Sequence, residues 1–187
     1  MMRQPPGNIS CVSETKWLNA EEARAWRALQ HLNMPLSAEL NRQLTRQSNL
    51  SNADYAVLVQ LSEAPEKRLR ARDLVAATGW EKSRLSHHIR RMENRQLVTR
   101  EGCPTDGRGA FIALTPTGQS TIEEAAPHHV KTVRAYVIDL LSPEQLRVLA
   151  EIGEIVGARL TAQCAAADAA EPCSDQRVPD ESDAFDG

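Results

Sequence analysis

Apolar residues recur at helical spacing along most of this chain and at strand spacing in one short interval. Residues 1–16 are polar and proline-rich, without periodicity, and are expected to be disordered. "NAEEARAWRALQHL" then opens with Asn19 as a helix cap and Glu22 three positions on, and Ala23, Trp26 and Leu29 share a face. Leu36, Leu40 and Leu44 continue the spacing, with Pro35 expected to break or restart the helix. Ser51 and Asp54 open "NADYAVLVQLSEA", whose inward face carries Tyr55, Leu58, Val59 and Ser62, and Pro65 ends it. A short extended piece, "RLR", leads to a short helix with Leu74 and Val75 inward and Gly79 as its cap. A further helix is predicted over about 81–95. The strand-like runs "LVTRE" and "GAFIAL" follow, joined by "GCPTDGR", where Pro104, Gly107 and Gly109 mark a turn.

Thr115-Pro116 starts the next helix as cap and first residue, carrying Ile122, Val130, Val133, Val137 and Leu140, with a kink expected at Pro127. Ser142-Pro143-Glu144-Gln145 is a capping box that launches a last helix with Leu146, Leu149, Ile152, Ile155, Val156 and Leu160 in register. Two helices, a hairpin and no other sheet define a winged helix-turn-helix. The fold class expected is mainly α with a small β-hairpin wing: a winged helix-turn-helix plus a helical dimerisation platform. The terminal helices carry more apolar stripe than one small winged domain can cover, which points to a second copy of the chain. The layout is a disordered N-terminal segment (1–16), platform helices (17–50), the winged domain (51–115), further platform helices (116–164) and an acidic disordered tail (165–187).

Charge changes the picture more than composition does. The net formal charge of -3 conceals a strong asymmetry. Residues 66–100 hold ten basic and four acidic side chains, a net +6, whereas 164–187 hold one arginine and seven acids, a net −6. Charges are screened over about 8 Å at physiological salt, so the local patch governs the partner. No apolar run approaches the roughly 20 residues of a membrane span, and the opening "MMRQPPGNIS" is unlike a secretory signal. A cytoplasmic protein without a membrane partner is expected. The four cysteines, Cys11, Cys103, Cys164 and Cys173, form no CxxC.

The basic patch centres on "LSHHIRRME", residues 85–93. At about 100° per residue, Leu85, Ile89 and Met92 cluster towards the core. Ser83, His87, Arg90 and Asn94 lie opposite, Arg84, Arg91 and Arg95 form a flank, and His88 lies nearer the core edge. Arginine forks onto guanine, serine and asparagine bond adenine or phosphate, and histidine donates to either. Adjacent histidines diverge by about 100° on a helix, so His87-His88 and His128-His129 are poor chelators compared with an i, i+4 pair. No metal and no cofactor are expected. The chain lacks GxSxG, P-loop and GxGxxG motifs, so no enzymatic activity is expected.

Taken in order, "LSNADYAVLVQLSEAP", "SRLSHHIRRMENRQLVTRE" and "PTDGRGAFIALTPTG", followed by two long helices, resemble the MarR family of bacterial transcription regulators over roughly residues 17–162. The resemblance implies a homodimer on a palindromic double-stranded operator, acting as a repressor released by a small, often aromatic or acidic, effector. The DNA contacts expected from the basic helix are Lys82, Ser83, Arg84, His87, His88, Arg90 and Arg91, joined from the wing by Arg108, with Asp106 stabilising the wing. Many members carry Asp-Arg-Arg where this chain has Asp106-Gly107-Arg108, so one wing charge is lost. Trp26, Met34 and Tyr55 are the candidate ligand-pocket residues by their position between the first helix and the winged domain. Two other readings compete: a redox-sensing regulator using Cys103, whose pKa Arg100 and Arg108 would lower, and a winged-helix module that binds an acidic protein.

Overall fold

The computed structural model describes residues 15–102 and 110–170. The expected wing turn, with Cys103, Asp106, Gly107 and Arg108, lies outside the described residues, as do 1–14 and 171–187.

The first helix, α1 (Ala20–Ser48), is capped as its sequence requires: Asn19 Oδ1 accepts from the Glu21 and Glu22 amides, and Glu22 accepts from the Asn19 amide at 2.8 Å. The expected break at Pro35 does not occur, and α1 runs through it. Proline removes one amide and frees the carbonyl of His31, but both residues are exposed, so water can satisfy that carbonyl. Asn49 ends α1 in the left-handed region at φ 52.

Helix α2 (Asn52–Glu63) begins in a reciprocal box between Ser51 and Asp54. Its buried side chains are Asp54, Val57, Leu58 and Leu61, with Tyr55 and Val59 half-buried. Burial is wider than the single stripe expected because α2 packs on α1 and on several elements that follow it, chiefly α3 (Ala71–Thr78), β3 (Ala110–Leu114) and α5 (Pro116–Tyr136). "RLR" is not merely extended. It is a strand, β1 (Arg68–Arg70), paired antiparallel with β3, which also pairs with β2 (Val98–Gly102). The sheet order is β1-β3-β2, so the hairpin is a three-stranded sheet, with Leu69 and Arg100 both opposite Ile112.

Gly79 ends α3 at φ 65, and α4 (Lys82–Asn94) starts after Trp80 and Glu81. Thr115 Oγ1 caps α5 by accepting from Gly118 N at 2.9 Å, and α5 passes through Pro127. Gly118 lies so close to the residue that leads into β2 that a Cβ there would stand 2.0 Å from the Leu97 carbonyl oxygen. The last helix, α6 (Pro143–Ala170), starts from the expected Ser142–Gln145 box and extends six residues past the platform boundary at 164.

One core holds these elements together. Leu50, Val57, Leu58, Leu61, Leu74, Leu85, Ile89, Met92, Ile112 and Ile122 are almost completely buried in it. It crosses the expected domain boundaries, since Leu44 of α1 and Ile122 and Ala125 of α5 join the winged domain's side chains. The N-terminal half of α1 and the described part of α6 bury nothing in the single chain. Among the described residues no helix is long and apolar enough to cross a membrane.

Candidate nucleic-acid interface

Helix α4 places its residues by simple periodicity. Leu85, Ile89 and Met92 are buried at 3%, 1% and 0% exposure and fix the rotation of the helix on the core. The opposite face and its flank then present Ser83, Arg84, His87, Arg90 and Arg91, all exposed, and Lys82 is exposed at the first residue of the helix. No side chain caps the first turn of α4, so its free amides add to the positive potential at that end.

His88 departs from the expected DNA-contacting set. It is 8% exposed and points into the protein, where Nε2 lies 3.1 Å from Asp54 Oδ1. That contact has ion-pair distance without hydrogen-bond alignment. The edge position foreseen for His88 becomes a buried one because α2 and Trp80 cover it: the Trp80 and His88 rings meet edge-on at 5.3 Å.

Asp54 is the residue that sequence periodicity missed. Besides accepting from Ser51 N at 2.8 Å, it takes Arg95 Nη1 at 2.8 Å, and Arg95 also donates to the Asn49 carbonyl. Burial alone would raise the Asp54 carboxyl. His88, the Ser51 amide and Arg95 oppose that and together hold it well below the usual carboxylate range. One carboxylate thus joins the end of α1, the start of α2 and the C-terminus of the basic helix. The only sequence signal for it was its place in the capping box.

Two further contacts shape the surface. Arg84 lies over the Trp80 ring, its guanidinium carbon 4.7 Å from the centroid. Arg100 of β2 ties the sheet to α4, with Nε 3.2 Å from Glu93 Oε2 and Nη2 donating to the Ser86 carbonyl at 3.1 Å. Ser86, His87, Arg90, Glu93 and Arg100 line a shallow depression beside the helix.

The candidate pocket residues do not converge in the single chain. Trp26 and Met34 are 53% and 72% exposed on α1. Tyr55 instead packs on His129 of α5, ring centroids 4.2 Å apart. Burial raises the Tyr55 hydroxyl pKa, with Glu63 adding to it, and burial lowers that of His129. Among the described residues no group of three or more His, Cys, Asp or Glu side chains could hold a metal ion.

A basic helix laid on a helix-turn-helix core, backed by a three-stranded sheet and flanked by long terminal helices, defines a winged-helix regulator fold. Comparison with known proteins agrees: the model of the MarR family matches residues 48–109. The solved structure of AbsC, a MarR family transcriptional regulator from Streptomyces coelicolor, is 44% identical, with a TM-score of 0.76 over 79% of this chain and 99% of AbsC. Sco3205, a MarR family transcriptional regulator from the same organism solved in complex with DNA, is 41% identical, with a TM-score of 0.75 over 78% of this chain and 91% of its own. The transcriptional regulator HosA of Escherichia coli O111:H- is 35% identical over 79 residues, and the chain spans just over half of HosA's length, 57%, and 42% of its own. The chain belongs to the MarR family of transcriptional regulators.

Proposed function

We propose that this protein is a sequence-specific DNA-binding repressor that acts as a homodimer on a palindromic operator and leaves it when a small aromatic or acidic ligand binds. The observation that carries the reading is the outward face of α4. Ser83, Arg84, His87, Arg90 and Arg91 are all exposed on it while its opposite face is locked in the core, and Lys82 is exposed at its first turn. Such a face suits the major groove, where arginine and serine bond base edges and lysine neutralises phosphate. The DNA complex of Sco3205 supports the same use of this fold. Arg108 belongs to the proposal as a minor-groove contact from the wing and Asp106 as its support.

The dimer is supported by the uncovered apolar stripes. Leu149, Ile152, Ile155, Val156 and Leu160 of α6 and Trp26, Leu29 and Leu32 of α1 are between 40% and 66% exposed. Contiguous apolar surface of that kind normally marks an interface. Two α4 helices in a dimer would enter successive turns of one DNA face, so half-sites about 10 bp apart are expected. Ligand control is supported by the contact between Tyr55 and His129, where His129 Nδ1 is buried without a hydrogen-bond partner beside an aromatic face. A ligand settling there would straddle α2 of the winged part and α5.

The test is binding of wild type, Arg84→Ala and His87→Ala to a duplex enriched by the wild-type protein from a random library, with base-substituted versions, at fixed salt. Each change is expected to cost about 1–3 kcal/mol and to relax preference at one position. Unchanged affinity and preference in both variants removes α4 as the reader. Failure of every small acid to weaken binding, with peroxide succeeding, would replace ligand control by oxidation at Cys103.

A further inference from the structure

We propose that Trp80 is a positioning residue that holds Arg84 ready for base recognition, itself held by His88 and Asp54. The inference rests on the reading of α4 as the DNA-contacting helix. Trp80 sits in the turn between α3 and α4, directly after Gly79, whose left-handed φ of 65 swings the chain from one helix to the next. The ring is half-buried and packs on the core cluster. Its orientation is gripped by His88, which meets it at an interplanar angle of 90°. His88 is fixed in turn by the buried Asp54 carboxylate, 3.1 Å away.

The Arg84 guanidinium lies over the ring, its carbon 4.7 Å from the centroid. Among the described residues no carboxylate pairs with Arg84, and of the exposed cations on α4 it alone rests on a ring. Stacking engages the face of the guanidinium and leaves the N–H groups at its edge free to fork onto a base. An arginine already ordered gives up less conformational freedom on binding than one waving in solvent, and its rigid plane discriminates bases more sharply. Arg90 and Arg91 have no such shelf, which suits them to phosphate contacts that tolerate variable geometry.

The experiment is a double-mutant cycle with Trp80→Met, Arg84→Ala and the pair, binding the duplex enriched by wild type and an unrelated duplex of equal length. Methionine keeps an apolar side chain at the core and removes the aromatic face. Trp80→Met is expected to weaken binding to the enriched duplex about 2- to 10-fold, the range that ordering one rotamer-rich side chain costs, with much less effect on the unrelated duplex. In the Arg84→Ala background it should do nothing further, because Trp80 then has nothing to position. A second measurement uses wild type alone: 15N relaxation should find the Arg84 Nε–H more ordered than those of Arg90 and Arg91, a readout that does not depend on any variant folding. Additive losses, tighter binding by Trp80→Met, or an Arg84 side chain as mobile as its neighbours each overturn the proposal while leaving α4 as the reader. No loss with Arg84→Ala itself also overturns the proposal, and only if His87→Ala is silent as well does α4 fall as the reader.

Discussion

Replacing Asp54 by asparagine tests whether the buried carboxylate is the clamp that its geometry describes. The substitution keeps the side-chain shape and one carbonyl acceptor but removes the charge that faces Arg95 and His88 at 2.8 and 3.1 Å. Breaking a fully buried pair costs about 3–5 kcal/mol. The Arg95 side chain is 37% exposed and can turn to water, so its share falls towards the surface value of about 0–1 kcal/mol. The weakened bond from the Ser51 amide and the uncompensated His88 contact contribute about 1–2 kcal/mol. The expected loss is about 2 kcal/mol. For a chain of this length that lowers Tm by about 4–8 °C, with protomer concentration held fixed. The pH dependence has a definite sign. The folded pKa of Asp54 is depressed below an unfolded value of about 3.9. Its contribution is therefore fully present above about pH 5 and is lost as pH falls below about 4. Urea unfolding of both proteins followed by circular dichroism, at pH 6 and pH 3.5, measures the gap. A gap below about 0.5 kcal/mol at pH 6, within the scatter of ordinary surface changes, refutes the clamp. So does a gap that fails to narrow at pH 3.5.

Gly118→Ala should lose about 3 kcal/mol, because the new Cβ meets the Leu97 carbonyl oxygen and Leu114 Cδ1, the first of them immovable backbone; a thermal melt checks it. Ile152→Glu with Ile155→Glu should shift the protein from dimer to monomer in sedimentation while leaving the winged core folded, since both side chains are exposed in the single chain. Arg100→Ala should weaken DNA binding without changing the dimer, because it frees the sheet from Ser86 and Glu93 of α4; fluorescence anisotropy on the enriched duplex measures it.

Local chemistry made much of this protein legible from its residues in order. The boxes at Asn19–Glu22, Ser51–Asp54 and Ser142–Gln145 start helices where they were expected, because a cap involves only neighbours along the chain. The repeat of Leu85, Ile89 and Met92 set the inward face of α4 and, with it, the exposed basic face, because one helix rotation determines both. What lay beyond a few residues of separation did not show. Strand β1 is recognisable only from its pairing with β3, more than 40 residues later. Asp54 and Arg95, 41 residues apart, meet because the core brings the start of α2 beside the end of α4. His88 stood at the margin of the apolar stripe, and which way a marginal residue goes depends on the elements packed beside it. Pro35 lacks an amide and so reads as a helix breaker, yet α1 runs through it because a solvent-exposed carbonyl can do without that bond. Periodicity is a property of one helix and is written in its own residues. Burial, pairing and the field around a carboxylate are properties of several elements at once, and only their packing decides them.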